Sequence, residues 1–256
     1  MIFDTHAHYD DEAFDGDRDH LLLSMEEHRI KRIVNVSSDL SSNETTRQLA
    51  EKYPFIYAAF GVHPSNTAEL TGENFARIHE LAGHPKCVAV GEIGLDYYYE
   101  EPSRELQKEW FAAQLQLAIQ KEKPVIIHSR DAAQDTYDLM KSGHAERCGG
   151  VVHCFSYSKE MARLFVKMGF FIGVGGVVTF KNGRVLREVV EDIPLEYIVL
   201  ETDCPYMAPV PFRGKRNSSL NLPLVVEQIA QIRGMEAEEV EEITWQNALR
   251  LYGMQK

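Results

Sequence analysis

Asp4-Thr5-His6-Ala7-His8 follows an apolar start, Met1-Ile2-Phe3, that reads as a strand. Side chains at i and i+2 of a strand project to the same face. Two rises of about 3.3 Å therefore bring the imidazoles of His6 and His8 close enough to converge on one metal ion. The same pattern, an apolar run ending in a residue able to bind metal, recurs at His63, Glu92, His128, His153 and Asp203. His6, His8, His128 and His153 with Glu92 and Asp203 make four imidazoles and two carboxylates. That is too many for one tetrahedral ion with an open position and suits two ions sharing a carboxylate. Two such ions acidify a bridging water and hold a phosphoryl or carbonyl oxygen, so the expected chemistry is hydrolysis. Neither a Gly-rich phosphate loop nor a GxSxG turn is present to suggest another route.

The elements that must position these groups are legible in the apolar runs. Residues 1–3, 32–36, 56–62, 87–91, 125–127, 150–152, 170–174 and 197–200 read as about eight strands separated by segments of helical period. The clearest helix spans Ser103 to Lys121, with Leu106, Trp110, Ala113 and Leu117 forming the stripe expected to pack inward. A second starts after Asp131, near Gln134. Alternating strands and helices imply a parallel sheet with helices outside it, either open and doubly wound or closed. Ligands at the ends of both the first and the last strand favour the closed α/β form, a (β/α)8 TIM barrel with its metal site at the C-terminal mouth. We expect residues 1–256 to form a single domain.

The chain has 256 residues, a formal charge of −12 and 44% hydrophobic content, which suits one sizeable core and argues against broad electrostatic coating of nucleic acid. Bound dications would still supply local positive charge for a phosphate. Cys87, Cys148, Cys154 and Cys204 show no CxxC spacing, the start carries Asp4, Asp10, Asp11 and Glu12 rather than a basic leader, and the longest weakly polar run, Phe170 to Val178, is too short to span a bilayer. The expectation is a cytoplasmic protein with no membrane association and no obligate protein partner. The remaining histidines, His20, His28, His79, His84 and His144, fall in polar or helical stretches and read as solvated.

Six stretches together carry a resemblance: Phe3-Asp4-Thr5-His6-Ala7-His8, Gly61-Val62-His63-Pro64, Gly91-Glu92-Ile93-Gly94-Leu95-Asp96-Tyr97-Tyr98, His128-Ser129-Arg130-Asp131-Ala132, His153-Cys154-Phe155-Ser156 and Glu201-Thr202-Asp203-Cys204-Pro205-Tyr206. In this order the chain resembles the TatD-type metal-dependent deoxyribonucleases of the amidohydrolase-like barrel superfamily. The resemblance implies that His6, His8, Glu92 and Asp203 surround one metal and Glu92, His128 and His153 the other, with Glu92 bridging. It also implies hydrolysis of DNA phosphodiesters, with other ester or amide substrates in relatives.

Within that frame Asp203 and Glu92 are the expected catalytic carboxylates, Asp203 taking a proton from the attacking water and returning one to the leaving oxygen. Glu201 is expected to orient a histidine, an ordinary buried ion pair being the other reading. His63 is expected to contact a substrate phosphate, with a satisfied core histidine as the alternative. After the last strand, Arg213, Lys215 and Arg216 could hold a phosphate backbone or belong to a solvated turn. The family pattern has a histidine where this chain has Phe212, and an acidic residue then proline where it has Ser218 and Ser219. Phe212 could stack on a base or plug the loop. The expected activity is a deoxyribonuclease working on single strands or ends, its substrate DNA and its cofactors two divalent ions (Zn, Mn or Mg), imidazole suiting the first two better. A hydrolase of a small ester, amide or lactone, and a non-enzymatic partner protein retaining the barrel, are the alternatives.

Overall fold

The computed structural model describes residues 1–254. Its strands are β1 (Ile2–Ala7), β2 (Ile30–Val36), β3 (Ile56–Phe60), β4 (Cys87–Asp96), β5 (Val125–Arg130), β6 (Gly150–Val152), β7 (Phe170–Val174) and β8 (Ile198–Leu200), hydrogen-bonded in sequence order and all parallel. A bridge between Ala7 and Cys204 joins the two edges, and Thr5 Oγ1 donates to the Leu200 carbonyl at 2.9 Å. The sheet is thus a nearly closed (β/α)8 barrel. Helices α1 (Arg18–Ser24), α2 (Leu40–Lys52), α3 (Gly72–Leu81), α4 (Arg104–Gln120), α5 (Ala133–Ser142), α6 (Lys159–Lys167), α7 (Arg184–Asp192) and α8 (Leu222–Arg233) lie between and after the strands, and α9 (Ala237–Leu251) follows. None of the described helices is long and apolar enough to cross a membrane.

The lower barrel is filled by side chains, not hollow. Phe3, Val34, Val36, Ala59, Ala89, Ile126, Val151, Phe171 and Val199 share one buried cluster with Trp245, Leu249 and Tyr252 from the C-terminal segment. The rings of Trp245 and Tyr252 lie 5.8 and 5.7 Å from that of Phe3, and the Tyr252 hydroxyl donates to the Thr5 carbonyl at 2.8 Å. That end of the barrel is closed, which leaves the C-terminal mouth for chemistry.

Strand alternation carries most of the site from this layer. Ile126 and His128, Val151 and His153, and Val199, Glu201 and Asp203 follow one another at steps of two. Two strands need a correction to that rule. Phe3 and His6 are three apart, as are Ala89 and Glu92, so strict alternation would put them on opposite faces. Asp4 pairs with Ile33 and Ala7 with Asn35, while Val90 pairs with Val125 and Ile93 with Ile127. In each case three steps on one strand oppose two on the next. These bulges let β1 and β4 direct an apolar side chain inward below and a polar one inward above.

Helix α4 starts one residue inside the expected segment, with Ser103 Oγ accepting from Leu106 N–H. Of the expected stripe only Leu117 is fully buried; it joins Gln107, Phe111, Gln114, Leu115 and Ala118, while Leu106 and Ala113 are partly buried and Trp110 packs half-buried on Phe75 at 5.4 Å. Two glutamines are buried because each holds a loop: Gln107 exchanges hydrogen bonds with Asp96 N–H and C=O, and Gln114 with those of Val62. Helix α5 begins at Ala133, but Asp131 stands before it at φ 54° and Ala132 is its cap.

Phe3→Ala removes the ring on which Trp245 and Tyr252 converge. It should cost about 3–5 kcal/mol, seen as a lower denaturant midpoint with an unchanged slope. An unchanged midpoint would show that α9 closes the barrel without help from Phe3.

Candidate metal centre

Glu92, 3% exposed, lies at the centre of the mouth and presents its two oxygens to different groups of imidazoles. Oε2 lies 3.4 Å from His6 Nε2 and 3.8 Å from His8 Nε2. Oε1 lies 2.6 Å from His153 Nε2, 2.8 Å from His128 Nδ1 and 3.8 Å from His63 Nε2. Asp203 Oδ1 completes the first group at 3.4 Å from His8 Nε2 and 3.8 Å from His6 Nε2. Burial opposes ionisation of Glu92, but the charges of His153, His6 and His63 and the His128 hydrogen bond outweigh it and hold the carboxyl well below its ordinary range.

Ring nitrogens face ring nitrogens: His6 Nε2 and His8 Nε2 are 3.0 Å apart, and His128 Nδ1 and His153 Nε2 3.2 Å. Such pairs aim lone pairs at common points and suit cations better than one another. Orientation comes from behind. His8 Nδ1 lies 2.7 Å from the Val36 carbonyl, which only accepts, so Nδ1 carries the proton and Nε2 offers its lone pair. His128 turns Nε2 towards Asp96 Oδ2 at 3.1 Å, leaving Nδ1 to face Glu92. Asp96 was not among the expected site residues; its signal was its place in the Glu92 stretch, two residues beyond the Gly94 that pairs with His128. At Gly94, φ is 145° and a Cβ would stand 1.9 Å from the His128 carbonyl oxygen, so the close approach of β4 to β5 requires glycine.

Glu201 lies beneath, within 4.8 Å of His6 and His153, whose rings stack at 4.0 Å. Its Oε1 accepts from Cys154 N–H, its Oε2 has no partner among the described residues, and burial pushes its pKa up to about 8. Gly173 makes the space, since a Cβ there would meet Glu201 Oε2 at 2.2 Å. His63 approaches the centre beside His128, ring centroids 4.2 Å apart, with its Nδ1 accepting from Ser65 N–H. Burial lowers its pKa to about 3.

The loop after β8 is anchored away from the centre. Arg216 pairs with Asp17 and donates to the Ala13 carbonyl, Arg213 lies 4.4 Å over the Phe180 ring, and Lys215 is exposed. Phe212 is 40% exposed. Ser219 is buried, donating to Asp4 Oδ2 at 2.6 Å and lying 2.9 Å from the Tyr9 hydroxyl; it serves the junction between β1 and β8 rather than the mouth. Ser218 N–H donates to Asn217 Oδ1.

Two cavities flank the centre. The larger, about 560 Å³, touches His8, His63, Glu92, His128, His153 and Asp203 and extends over Asp10, Asp11, Glu12 and Asp39, with no Arg or Lys in its lining. The smaller, about 310 Å³, shares His128, His153 and Asp203 and extends over Arg130, Phe155, Val177, Leu186 and Met207. Asp203 borders both.

A family model described as TatD related DNase matches residues 3–253. The chain belongs to the TatD family. Among its relatives, the uncharacterized metal-dependent hydrolase YabD of Bacillus subtilis is 44% identical over 252 residues, 98% of this chain and 99% of that protein. The 3'-5' ssDNA/RNA exonuclease TatD of Escherichia fergusonii is 31% identical, covering 99% of each. The solved structure of YjjV, a TatD homolog from Escherichia coli K12, superposes with a TM-score of 0.93 at 32% identity, covering 99% of this chain and 98% of that one. This TatD-family barrel therefore shares its whole length with proteins described as metal-dependent hydrolases.

Without metal, burial lowers the affinity of His8 and His128 for protons, but the facing carboxylates prevail. Asp203 and Glu92 raise His8 to about 10, and Asp96 and Glu92 raise His128 to about 9. At pH 7 both rings hold an extra proton that a dication must displace, so metal affinity should rise with pH and level off above these values. Calorimetry at pH 7 in buffers of different ionisation enthalpy should show net release of protons on metal binding, with His153, where burial is outweighed by Glu92 and the pKa is raised, adding to the two from His8 and His128. Binding without proton release would contradict this electrostatic account.

Proposed function

We propose that the chain hydrolyses phosphodiester bonds of DNA, on single strands or at their ends, using two divalent ions held at the mouth of the barrel. The observation that carries this reading is the division of Glu92, one oxygen towards His6, His8 and Asp203 and the other towards His128 and His153. His6, His8, Glu92 and Asp203 would hold one ion, and Glu92, His128 and His153 the other. Bound there, the ions would supply an acidified water and Lewis acidity towards a phosphoryl oxygen. Two carboxylates offset half the charge of two dications, and the remainder favours an anionic substrate. The family description and the exonuclease activity named for the Escherichia fergusonii relative support DNA as that substrate.

Asp203 is the proton acceptor in this scheme. Burial opposes its ionisation, but the His8 hydrogen bond and the charges of His153 and His6 hold its pKa below the usual value, so it is ionised at neutral pH. Its side chain keeps 17% exposure and borders both cavities, within reach of an attacking water and of a leaving oxygen. Asp96 and Glu201 act through histidines, holding His128 from the outside and bearing on His6 and His153 from below. His63 would contact a non-bridging phosphate oxygen. Arg213 and Lys215 would meet the strand beyond the cavities, with Arg216 contributing through its Asp17 pair.

Asp203→Asn keeps the shape but removes the acceptor and one negative ligand. With metal saturating, turnover on a single-stranded oligonucleotide should fall by about 10²–10⁴-fold, while thermal unfolding stays near that of the parent. Near-normal turnover would remove Asp203 from this role. For the loop, replacing Arg213 and Lys215 together by alanine should flatten the dependence of oligonucleotide KM on salt by about one unit of slope per lost phosphate contact. An unchanged slope would assign the loop to a solvated turn.

A further inference from the structure

The two cavities beside the metal centre differ in chemistry, and the difference orients a substrate. The larger, with Asp10, Asp11, Glu12 and Asp39 and no Arg or Lys in its lining, is the less favourable side for a polyanion. The smaller has an apolar wall of Phe155, Val177, Leu186 and Met207, and Arg130 is the one Arg or Lys in its lining. At about 310 Å³ it falls at the lower end of the roughly 300–1,000 Å³ typical of small-molecule pockets. It is continuous with the centre through His128, His153 and Asp203.

Arg130 is not spent on a carboxylate: it makes no ion pair among the described residues, and its guanidinium lies 3.7 Å over the Tyr98 ring. Tyr98 in turn meets Tyr99 edge to face at 4.9 Å, and both rings are more than half exposed. A cation braced on an aromatic platform, next to an apolar slot opening on the metal centre, matches a nucleotide: base in the slot, phosphate on the guanidinium.

We propose that the smaller cavity is the subsite for the nucleobase adjoining the scissile phosphate, with Arg130 on the neighbouring phosphate of the same strand. This rests on the phosphodiesterase reading and adds a direction to it. One base of the substrate is held mainly by the apolar wall, so recognition is tolerant of sequence but requires a base at that position.

The test uses single-stranded thymidylate trimers, each lacking the base at one position, with the full-length protein under saturating manganese. The parent enzyme should cut one of these abasic trimers with kcat/KM at least about tenfold below the complete trimer, the loss expected for one stacked base. Met207→Trp fills the slot from a side chain that is 44% exposed, and should bring that ratio close to one. Val177→Trp, from the segment after β7, is the second variant, and metal content with thermal unfolding identifies any variant that has lost its fold. The ratio is informative because a general loss of activity leaves it unchanged. Equal cutting of all trimers by the parent enzyme, or an unaltered ratio in both folded variants, would overturn the subsite while leaving phosphodiester hydrolysis standing. A parent enzyme that cuts no trimer would overturn both.

Discussion

A carboxylate kept ionised although it is almost wholly buried governs the arrangement of this barrel. Desolvation alone would protonate Glu92. The charge persists because imidazoles from β1 and β5 and from the residues after β1, β3 and β6 converge on its two oxygens. Those elements stand around the whole circumference, so the ring has to close for the charges to meet. Closure rests on polar contacts at the junction of β1 and β8, where Asp4 accepts from Thr202 N–H, Thr202 Oγ1 and Ser219 Oγ. Burial raises the pKa of Asp4 to about 6 despite these donors, so its folded value lies above its ordinary one. Its contribution to stability is therefore complete at low pH and is lost as pH rises through about 6.

Around this centre, the barrel uses buried polar side chains to fix backbone. Gln107 and Gln114 hold the ends of β4 and the segment after β3 from α4, next to Asp96 and His63. Asn35 ties the turn after His8 by accepting from Tyr9 N–H at 2.6 Å and donating to Asp10. Each bond is modest by itself, but a partner removed would leave a buried group unsatisfied at a cost of about 1–3 kcal/mol. The site's geometry is in this way coupled to the stability of the surrounding helices.

Much of this is legible in the amino-acid sequence. The strand ends carried His6, His8, Glu92, His128, His153 and Asp203 in an order that favoured a closed barrel, because period-two alternation and apolar runs are local signals. What escaped depends on partners distant in sequence. A bulge leaves no mark in a single strand, so the shared inward direction of Phe3 and His6 was invisible. Gln107 and Gln114 resemble solvated helix positions until the loops they hold are placed. Arg216 looked like a free cation because Asp17, its partner, lies at the other end of the chain. The TatD resemblance supplied the division of ligands between two ions, which spacing alone left open.

Part of the formal charge of −12 falls on one side of the mouth, where Asp10, Asp11, Glu12 and Asp39 join Glu92 and Asp203 around the larger cavity and no Arg or Lys does. In the proposed reaction, positive charge beside the scissile phosphate would come from bound ions and from Arg130. The proposed reaction depends on Glu92 standing between two metals. Anomalous diffraction from crystals of the protein grown with manganese tests that directly. The account predicts two peaks flanking the Glu92 carboxylate, about 3.5–4 Å apart, one beside His6, His8 and Asp203 and the other beside His128 and His153. A single peak away from Glu92, or none at saturating manganese, would contradict it.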